Sequence, residues 1–600
     1  MAADPLRTAP NLNHLWARLL VEELVRCGVT AFVVGSGSRS TPLAVAAGAH
    51  PGTAVTVHVD ERGGAFAALG WARATGCPAA LVTTSGTAVA NAMPAAVEAD
   101  AEGVPLLLLT ADRPPELRET GANQTVRQPG FFDGVARWSF DLPVPTADIP
   151  LAFVLTTAAQ AVYRSRHPAG PVHLNLPFRE PLAPRPDGAD VPALLALVED
   201  WIGTDGPYTR YVPPVTAPAP DTLQPLLDRW VGVERGLVVL GKTDDPAAAP
   251  AAARLASALG WPLLPDLASG GRLGTAGPTA APHYDLALAS EAFREAHRPE
   301  AVLHLGRRAT SKRLLQHVGA ARPASYAVVR PDAARFDPTH SVTHRVQSDV
   351  PAFCEAAMAV LDPPVHRPSS WQTAWQDASA AVAEALAAAF EDDALSEPRL
   401  AGLVTSLTPA GWGLVAAASM PVRDLDAFAV ASGPSLRVTA NRGASGIDGT
   451  VATAAGYARG LGGPAVLLLG DLALLHDLNG LALLQDGPPV VVVVVNNDGG
   501  GIFHFLPVAP GAGEGALPDA VFEPLFGTPH GLGFEPAARM FGLGYARPET
   551  ASAFAADFRV AVESGRSALI EVRTDRRENR ALHHELGTRC ARAVEQALGL

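Results

Sequence analysis

Cysteine is scarce in this sequence, and no two cysteines are placed to act together. Cys27, Cys77, Cys354 and Cys590 are scattered and form no CxxC pair or Cys/His cluster. This spacing argues against a disulfide framework or a structural zinc site, and it favours a reduced, cytoplasmic protein. The N-terminal residues also lack the basic-then-apolar design of a signal peptide.

Long apolar runs and an excess of positive charge are also absent. No window approaches the roughly 20 uninterrupted apolar residues of a transmembrane helix, so no membrane span is predicted. The formal net charge is −14, with 46 basic and 60 acidic residues. That balance argues against a nucleic-acid surface or an anchor to anionic lipid. An anionic substrate would have to be held by local cations.

The length of 600 residues is too great for one core and predicts roughly three or four domains. Apolar strands alternate with Ala-rich helices throughout, which is typical of doubly wound α/β domains with mainly parallel sheets. Proline-rich stretches interrupt this pattern and are interpreted as linkers. The predicted division is a domain at residues 1–185, a linker at 186–214, a central domain at 215–362, a linker at 363–371 and a domain at 372–600.

Two polar positions near the C-terminal end of the sequence follow buried strands. The run Ala465–Gly470 leads to Asp471, and the valines Val490–Val495 lead to Asn496 and Asn497. The segment LNGLALLQ between them is interpreted as the crossover helix of a parallel strand pair. Ligands bind at the carboxyl ends of such strands, and carboxylate and amide oxygens suit Mg²⁺. Helix capping by the same residue types is an equal alternative at this point.

The first and last domains share an internal similarity. Residues 61–80 and 447–466 align without a gap at an offset of 386, and eight of the twenty pairs are identical. The shared core reads G-[WY]-A-R-x-x-G-x-P-A, which favours duplication over a common Ala and Gly bias. The alignment places Glu61 opposite Ile447 and Ser85 opposite Asp471.

Glu61 follows the strand-like run TAVTVHVD and opens a helix rich in Gly and Ala. An acid at this place is common because it interacts favourably with the helix dipole. The small residues after it would let another surface approach closely.

Several basic residues lie beside predicted strand ends. Arg39 is in the glycine- and serine-rich turn GSGSRSTP, a natural anion cradle. Arg113 follows a strand and precedes GANQ, while Arg423 and Arg442 flank what is predicted as the first strand of the C-terminal domain. Lys312 is the remaining member of this set. Most single surface arginines are only solvated, but several near strand ends of an acidic protein favour a clamp for carboxylates.

These motifs resemble one family of thiamine-diphosphate (ThDP) enzymes, the 2-succinyl-5-enolpyruvyl-6-hydroxy-3-cyclohexene-1-carboxylate (SEPHCHC) synthases. The resemblance covers residues 36 to about 507 and implies the pyrimidine-binding, central and diphosphate-binding domains of that class. The segments that carry it are GSRSTP, DERGGAFAALG, TSGTAVANAMPAAVEA, LTADRPPELRETGANQTVRQPG, GPVHLNLPF, NRGASGIDG and NNDGGGIFHFLP.

The resemblance implies ThDP and Mg²⁺ as cofactors, with Mn²⁺ as a substitute. Glu61 would be the catalytic acid that activates the cofactor, from a buried, apolar site. Asp471, Asn497 and the Gly499 carbonyl would bind the metal ion. Ile447 would be the apolar wedge under the bent cofactor. The residues implied to line the diphosphate are Ser419, Ser445 and Leu472.

The implied reaction is decarboxylation of 2-oxoglutarate and conjugate addition of the four-carbon product to isochorismate, in menaquinone biosynthesis. Gln124 and Arg442 are implied to be catalytic as well as substrate-binding. Family members are dimers or dimers of dimers with active sites between subunits. The implied substrate pocket consists of Ser38, Arg39, Arg113, Asn123, Gln124, Lys312, Arg423, Arg442, Ile502 and Phe503.

Other functions share part of this pattern. A 2-oxoacid decarboxylase or acetohydroxyacid synthase would keep Glu61, Asp471 and Asn497 but lack the arginine set. A flavoprotein oxidase would carry FAD in the central domain. A degenerate scaffold without turnover is disfavoured by the intact combination of those three residues.

Overall fold

A computed structural model describes residues 5–274, 277–361 and 369–600. The chain packs as two compact units. The first consists of Met1–Pro213, Asn441–Pro464 and His476–Pro488, and the second of Pro214–Ala440, Ala465–Leu475 and Pro489–Leu600. Among the described helices, none is both long and apolar enough to cross a membrane.

The first unit contains a six-stranded parallel sheet with the order β2-β1-β3-β4-β6-β5. Its strands are β1 Ala31–Val34, β2 Ala54–Val57, β3 Ala79–Thr83, β4 Leu106–Asp112, β5 Trp138–Asp141 and β6 Pro171–Pro177. The helices in this part of the chain are α1 Leu12–Arg26, α2 Thr41–Ala49, α3 Glu61–Thr75, α4 Thr87–Asn91, α5 Met93–Glu102, α6 Ala152–Arg166, α7 Val191–Leu195 and α8 Glu199–Ile202.

The second unit begins with a five-stranded parallel sheet with the order β11-β10-β9-β7-β8. Its strands are β7 Gly236–Leu240, β8 Leu263–Pro265, β9 Ala301–Leu305, β10 Ser325–Arg330 and β11 His344–Gln347. The helices here are α9 Pro220–Trp230, α10 Ala248–Leu259, α11 Tyr284–Ala287, α12 Glu291–Ala296, α13 Lys312–Ala321 and α14 Val350–Val360.

The second unit also holds a six-stranded parallel sheet with the order β13-β12-β14-β15-β17-β16. Its strands are β12 Gly413–Ala416, β13 Arg437–Ala440, β14 Ala465–Gly470, β15 Val490–Asn496, β16 Gly544–Ala546 and β17 Ala568–Arg573. The remaining helices are α15 Ser370–Ala389, α16 Glu397–Leu407, α17 Met420–Phe428, α18 Thr450–Leu461, α19 Asp471–His476, α20 Asp519–Phe522, α21 Glu535–Met540, α22 Ala551–Glu563 and α23 Arg576–Leu598.

The central sheet is buried on both faces, as a doubly wound fold requires. Along β7, Leu237 and Val239 point into one apolar core, while Val238 and Leu240 point into another. The sequences of such strands are continuous apolar runs because neither face of the sheet is exposed to water. The six valines of β15 are likewise all buried. The predicted α/β class with three mainly parallel sheets is confirmed.

The two predicted strands around the GD…NN segment are confirmed, but the crossover between them differs from the prediction. The predicted helix at residues 478–485 is a 3₁₀ segment, Leu478–Leu484, and α19 precedes it. Asp477 lies between the two with a non-helical backbone, φ −120° and ψ 34°, and its buried Oδ2 accepts a hydrogen bond from the Ala452 amide at 2.9 Å. The break between the two helical segments thus coincides with a contact to a residue outside them.

The domain division stays a prediction. Each proposed domain contains one sheet, and the segment predicted as the first linker carries the short helices α7 and α8. Trp201 of α8 donates from its indole nitrogen to Glu23 of α1 at 2.9 Å, so this segment packs within the first unit. The predicted second linker, 363–371, lies mostly outside the described residues.

The first and third sheets have the same strand order, which agrees with the duplication seen in the sequence. Within the first unit the two aligned helices, α3 and α18, pack against each other. Their contact explains an aligned glycine pair. A Cβ on Gly70 would lie 2.1 Å from the Thr453 carbonyl oxygen, and one on Gly456 would lie 1.9 Å from that of Ala67. Both glycines let the helix backbones touch.

We predict that Gly456→Ala lowers the free energy of unfolding by about 1–3 kcal/mol, since the added methyl group has no space at the backbone contact. The thermal unfolding midpoint measures the effect. Gly48→Ala, near the end of α2, is the matched control because nothing lies within 4 Å of its Cβ position. It should be neutral or stabilising by up to about 1 kcal/mol. Equal midpoints for the two variants would contradict the packing argument.

Candidate active site

The candidate cofactor residues of the second unit follow three adjacent strands of its six-stranded sheet. Ser419 comes after β12, Asp471 after β14 and Asn497 after β15. The chain leaves β12 towards β13 on one side and returns to β14 on the other, so the strand order reverses between β12 and β14. Ligands of open α/β sheets bind at such a reversal. The structure therefore places Asp471 and Asn497 at the ends of neighbouring strands, as predicted.

Asp471 is buried and tightly held. Its Oδ1 accepts from the Leu472 amide at 2.6 Å, and its Oδ2 accepts from the Gly499 amide at 2.8 Å. The His530 Nε2 lies 3.2 Å from the same Oδ2. Burial raises the pKa of this carboxyl, and the hydrogen bonds from Gly499, His530 and Leu472 oppose that shift. A desolvated carboxylate held in one orientation is well suited to a small divalent cation.

The loop after β15 is fixed by close backbone packing. Gly499 has φ 133°, and a Cβ there would lie 1.9 Å from the Gly527 carbonyl oxygen. The next amide, of Gly500, donates to that same oxygen at 2.7 Å. Arg576 of α23 donates to the Asn497 carbonyl at 3.2 Å and also to that of Asp498. Because of these contacts, a residue with a side chain does not fit at position 499.

Asn497 presents one unsatisfied oxygen. Its Nδ2 donates to Oε1 of the buried Glu397 at 2.9 Å, whereas its Oδ1 is buried and has no hydrogen-bond partner among the residues that the structure describes. A buried acceptor without a partner is costly, because it has lost its water without replacement. An oxygen-binding cation such as Mg²⁺ fits this residue and Asp471 in its donor chemistry.

The other candidate residues of the second unit occupy separate elements. Ser419 has φ 72°, rare for a residue with a side chain, and its carbonyl accepts from Arg423 of α17. Ile502 and Phe503 lie in the 3₁₀ segment Gly501–Phe505, where the Phe503 ring packs 5.6 Å from that of Phe526. Lys312 is exposed at the start of α13, beside the central sheet.

Glu61 is the first residue of α3, as predicted, in the first unit. Asp60 caps the helix by accepting from the Arg62 amide at 3.0 Å. The Glu61 carboxylate accepts from Asn91 Nδ2 at 3.3 Å, and a Cβ on Gly35 would lie 2.8 Å from its Cγ. The residue is half-buried in the single chain and not fully buried as the resemblance implies.

Two arginines lie close together at the strand ends of the first unit. Arg113 follows β4, is 9% exposed, and donates to Ser85 Oγ and, at 3.3 Å, to the Gln124 carbonyl. Arg39 donates to the Phe178 carbonyl at 2.9 Å and forms an ion pair with the exposed Glu180 at 3.5 Å. Its Nε is buried and has no hydrogen-bond partner in the described part of the chain. Burial, followed by the charge of Arg39, lowers the pKa of Arg113. Two neighbouring guanidinium groups of this kind favour an anionic ligand.

Gln124 completes this cluster. Its Nε2 donates to the Ser85 carbonyl at 2.9 Å, and its backbone is left-handed, with φ 59°. Backbone strain of this kind is concentrated at functional sites. Asn123 and Ser38 are exposed next to Gln124 and Arg39 in the chain.

The loop that carries Arg442, Ser445 and Ile447 belongs to the first unit. Glu98 of α5 accepts from the Gly443 amide at 3.1 Å and from the Ala444 amide at 2.7 Å. Ser445 has φ 59°, and its hydroxyl donates to the Arg442 carbonyl at 3.2 Å. One detail of the sequence prediction is wrong. Arg423 and Arg442 flank β13, because β12, the first strand of the C-terminal sheet, precedes both.

Sequence reasoning missed two residues that hold the predicted metal ligands. Glu397 precedes Asn497 by 100 residues, and His530 follows Asp471 by 59. Neither lies in a motif, so no local signal could have identified them.

Two parts of the chain match family models. Residues 16–131 match the model described as "Thiamine pyrophosphate enzyme, N-terminal TPP binding domain", and residues 193–414 match "Middle domain of thiamine pyrophosphate". Thiamine pyrophosphate is ThDP under another name. Together with the three parallel sheets, these matches define the chain as a thiamine-diphosphate enzyme.

A protein from Rubrobacter xylanophilus, named 2-succinyl-5-enolpyruvyl-6-hydroxy-3-cyclohexene-1-carboxylate synthase, is 56% identical over 96% of this chain and 98% of its own length. The chain belongs to that family, the SEPHCHC synthases. Two further relatives carry the same name. The one from Salinibacter ruber is 53% identical, covering 98% of each chain, and the one from Myxococcus xanthus is 44% identical, covering 97% of this chain and 98% of its own.

Proposed function

We propose that this chain is a SEPHCHC synthase that requires ThDP and Mg²⁺. It decarboxylates 2-oxoglutarate and adds the four-carbon product to isochorismate, releasing CO₂, in menaquinone biosynthesis. The observation that carries the substrate assignment is the adjacent pair Arg39 and Arg113, which is largely buried at the strand ends of an otherwise acidic protein. Both proposed substrates bear carboxylates, which guanidinium groups bind in a bidentate manner.

The cofactor would supply the reactive carbon, and the protein would bind and orient the cofactor and the substrates. ThDP, when bound, supplies the nucleophilic carbon and the electron sink for decarboxylation. Asp471, the Asn497 Oδ1 and the Gly499 carbonyl would hold Mg²⁺, or Mn²⁺ in its place. Ser419, Ser445 and Leu472 would line the diphosphate, and Ile447 would support the bent cofactor. Glu61 would hold a proton at the aminopyrimidine ring.

The basic residues would orient the substrates. Arg39 and Arg113 would bind carboxylates from the first unit, with Gln124 and Ser38 alongside. Orientation of two reactants contributes substantially to the rate of a bond-forming step. The remaining proposed substrate contacts are Asn123, Lys312, Arg423, Arg442, Ile502 and Phe503.

We further propose a cytoplasmic homodimer or dimer of dimers with active sites between subunits. The support comes from β2, which is an edge strand with exposed apolar side chains. Val57 is 61% exposed, and Val59, just beyond the strand, is 83% exposed. Native proteins rarely leave such an edge uncovered.

A two-substrate assay tests the function. The purified protein with ThDP and Mg²⁺ is given 2-oxoglutarate and isochorismate, and the product and CO₂ are measured. We expect SEPHCHC only when both substrates are present. Pyruvate alone should give no carboligation product. Turnover of pyruvate to a decarboxylated or acetohydroxyacid product would instead favour a different ThDP enzyme.

A further inference from the structure

Glu397 is a buried carboxyl group that the proposed mechanism does not use. It is the first residue of α16 and is 3% exposed. Its Oε1 accepts two hydrogen bonds, from Asn497 Nδ2 at 2.9 Å and from Thr574 Oγ1 at 2.8 Å. Thr574 directly follows β17, the neighbour of β15 in the sheet, so Glu397 joins the ends of two adjacent strands.

The hydrogen bond to Glu397 determines which way the Asn497 amide faces. Glu397 Oε1 is the acceptor in both of its hydrogen bonds, and a carboxylate oxygen without a proton can only accept, whether or not Thr574 is bound to it. If the amide were turned over, the Asn497 Oδ1 would face this Oε1, and two acceptors would repel. With Nδ2 on Glu397, the Oδ1 is left for another partner, and among the described residues it has none.

We propose that Glu397 is a positioning residue for the metal site. It locks Asn497 so that the Oδ1 is presented to Mg²⁺ together with Asp471. The inference rests on the proposed role of Asn497 as a metal ligand. Residues that hydrogen-bond to a metal ligand without contacting the metal hold that ligand in its binding orientation. Their loss lowers metal affinity by about 10–100-fold.

The neighbouring buried carboxyl group does not share this role. Asp424 of α17 is 3% exposed, and its Oδ1 lies 3.2 Å from His583 Nε2 of α23. Its closest charged neighbour is therefore His583, at ion-pair distance, and not Asn497. Asn497 depends on Glu397 for its only side-chain hydrogen bond among the described residues.

The first test compares three variants by their affinity for Mg²⁺ and ThDP, measured by isothermal titration calorimetry without substrate. Glu397→Leu should weaken Mg²⁺ binding at fixed ThDP by about 10–100-fold. Glu397→Gln should stay within a few-fold of the parent, because its amide oxygen can still accept from Asn497. Thr574→Val is the matched control, since it removes the other hydrogen bond to the same oxygen, and it should also have little effect. Parent-like affinity in folded Glu397→Leu would overturn the proposal.

A reversal experiment decides the matter if Glu397→Leu does not fold. Asn497→Asp places a carboxylate against Glu397, and the loss of the amide donor should weaken Mg²⁺ binding. Adding Glu397→Gln supplies a new donor to that aspartate and should restore much of the affinity. A double variant no better than Asn497→Asp alone would overturn the positioning role.

One further variant separates this inference from the proposed function. Asn497→Ala should weaken Mg²⁺ and ThDP binding if Asn497 is a ligand. If it binds both normally, the metal assignment and the inference fail together. If it binds weakly while the Glu397 variants behave like the parent, only the inference fails.

Discussion

Glu61→Gln is expected to bind ThDP and Mg²⁺ normally and to lose turnover by about 10²–10⁴-fold, the usual contribution of general acid–base catalysis. Glutamine keeps the shape of the side chain and can still accept from Asn91, so the helix start and its contact with Gly35 should persist. It cannot exchange a proton at the aminopyrimidine ring. The measurement is kcat in the two-substrate assay, together with ThDP affinity by calorimetry.

The contrast between affinity and rate distinguishes a chemical role from a structural one. Asn91→Ala removes the neutral partner of Glu61 and leaves the carboxylate in place, so it should retain most of the activity. A Glu61→Gln enzyme with near-parental kcat would exclude Glu61 as the activating acid. Loss of ThDP binding in Glu61→Gln would instead indicate a structural role for this residue.

Asp471→Ala is expected to weaken retention of Mg²⁺ and ThDP by at least about 100-fold. Loss of a residue that only orients a metal ligand lowers metal affinity by about 10–100-fold, and Asp471 is proposed to contact the metal directly. The substitution also leaves the Gly499 amide and His530 without their shared acceptor. A second variant must separate the lost charge from this local damage.

Asp471→Asn provides part of that separation, because its amide oxygen can still accept from the Gly499 amide, although its Nδ2 then replaces the oxygen that accepts from the Leu472 amide. We expect the thermal midpoint of the cofactor-free protein to lie between those of Asp471→Ala and the parent while the affinity for Mg²⁺ falls. Calorimetry and thermal unfolding, each with and without Mg²⁺ and ThDP, give both quantities. Unchanged cofactor affinity in Asp471→Ala would remove Asp471 from the metal site.

Much of the fold could be predicted because the inner strands of its sheets are buried on both faces. Such strands are short apolar runs bounded by Gly and Pro, and β14 begins and ends where the run Ala465–Gly470 does. The duplication was visible for a related reason. Glycines needed for a backbone contact, such as Gly70 and Gly456, admit no other residue and so keep the pattern in both copies.

The candidate site could be predicted only in part. A polar residue directly after a buried strand lies at the sheet edge whatever the rest of the chain does, so Asp471 and Asn497 were found from local sequence. The crossover after Asp471 differs from the prediction, because the backbone is non-helical at Asp477, where the side chain accepts from the Ala452 amide outside the local segment.

The sequence by itself determined the class of fold, the strand ends and the residues placed there. Only the tertiary structure decided how those residues are held. Glu397 accepts from the Asn497 amide, and His530 lies within hydrogen-bond distance of Asp471, across separations of 100 and 59 residues. Hydrogen bonds have a fixed direction and a short reach, so their partners are set by how distant segments pack. Local sequence patterns do not predict that packing, so they do not identify these partners.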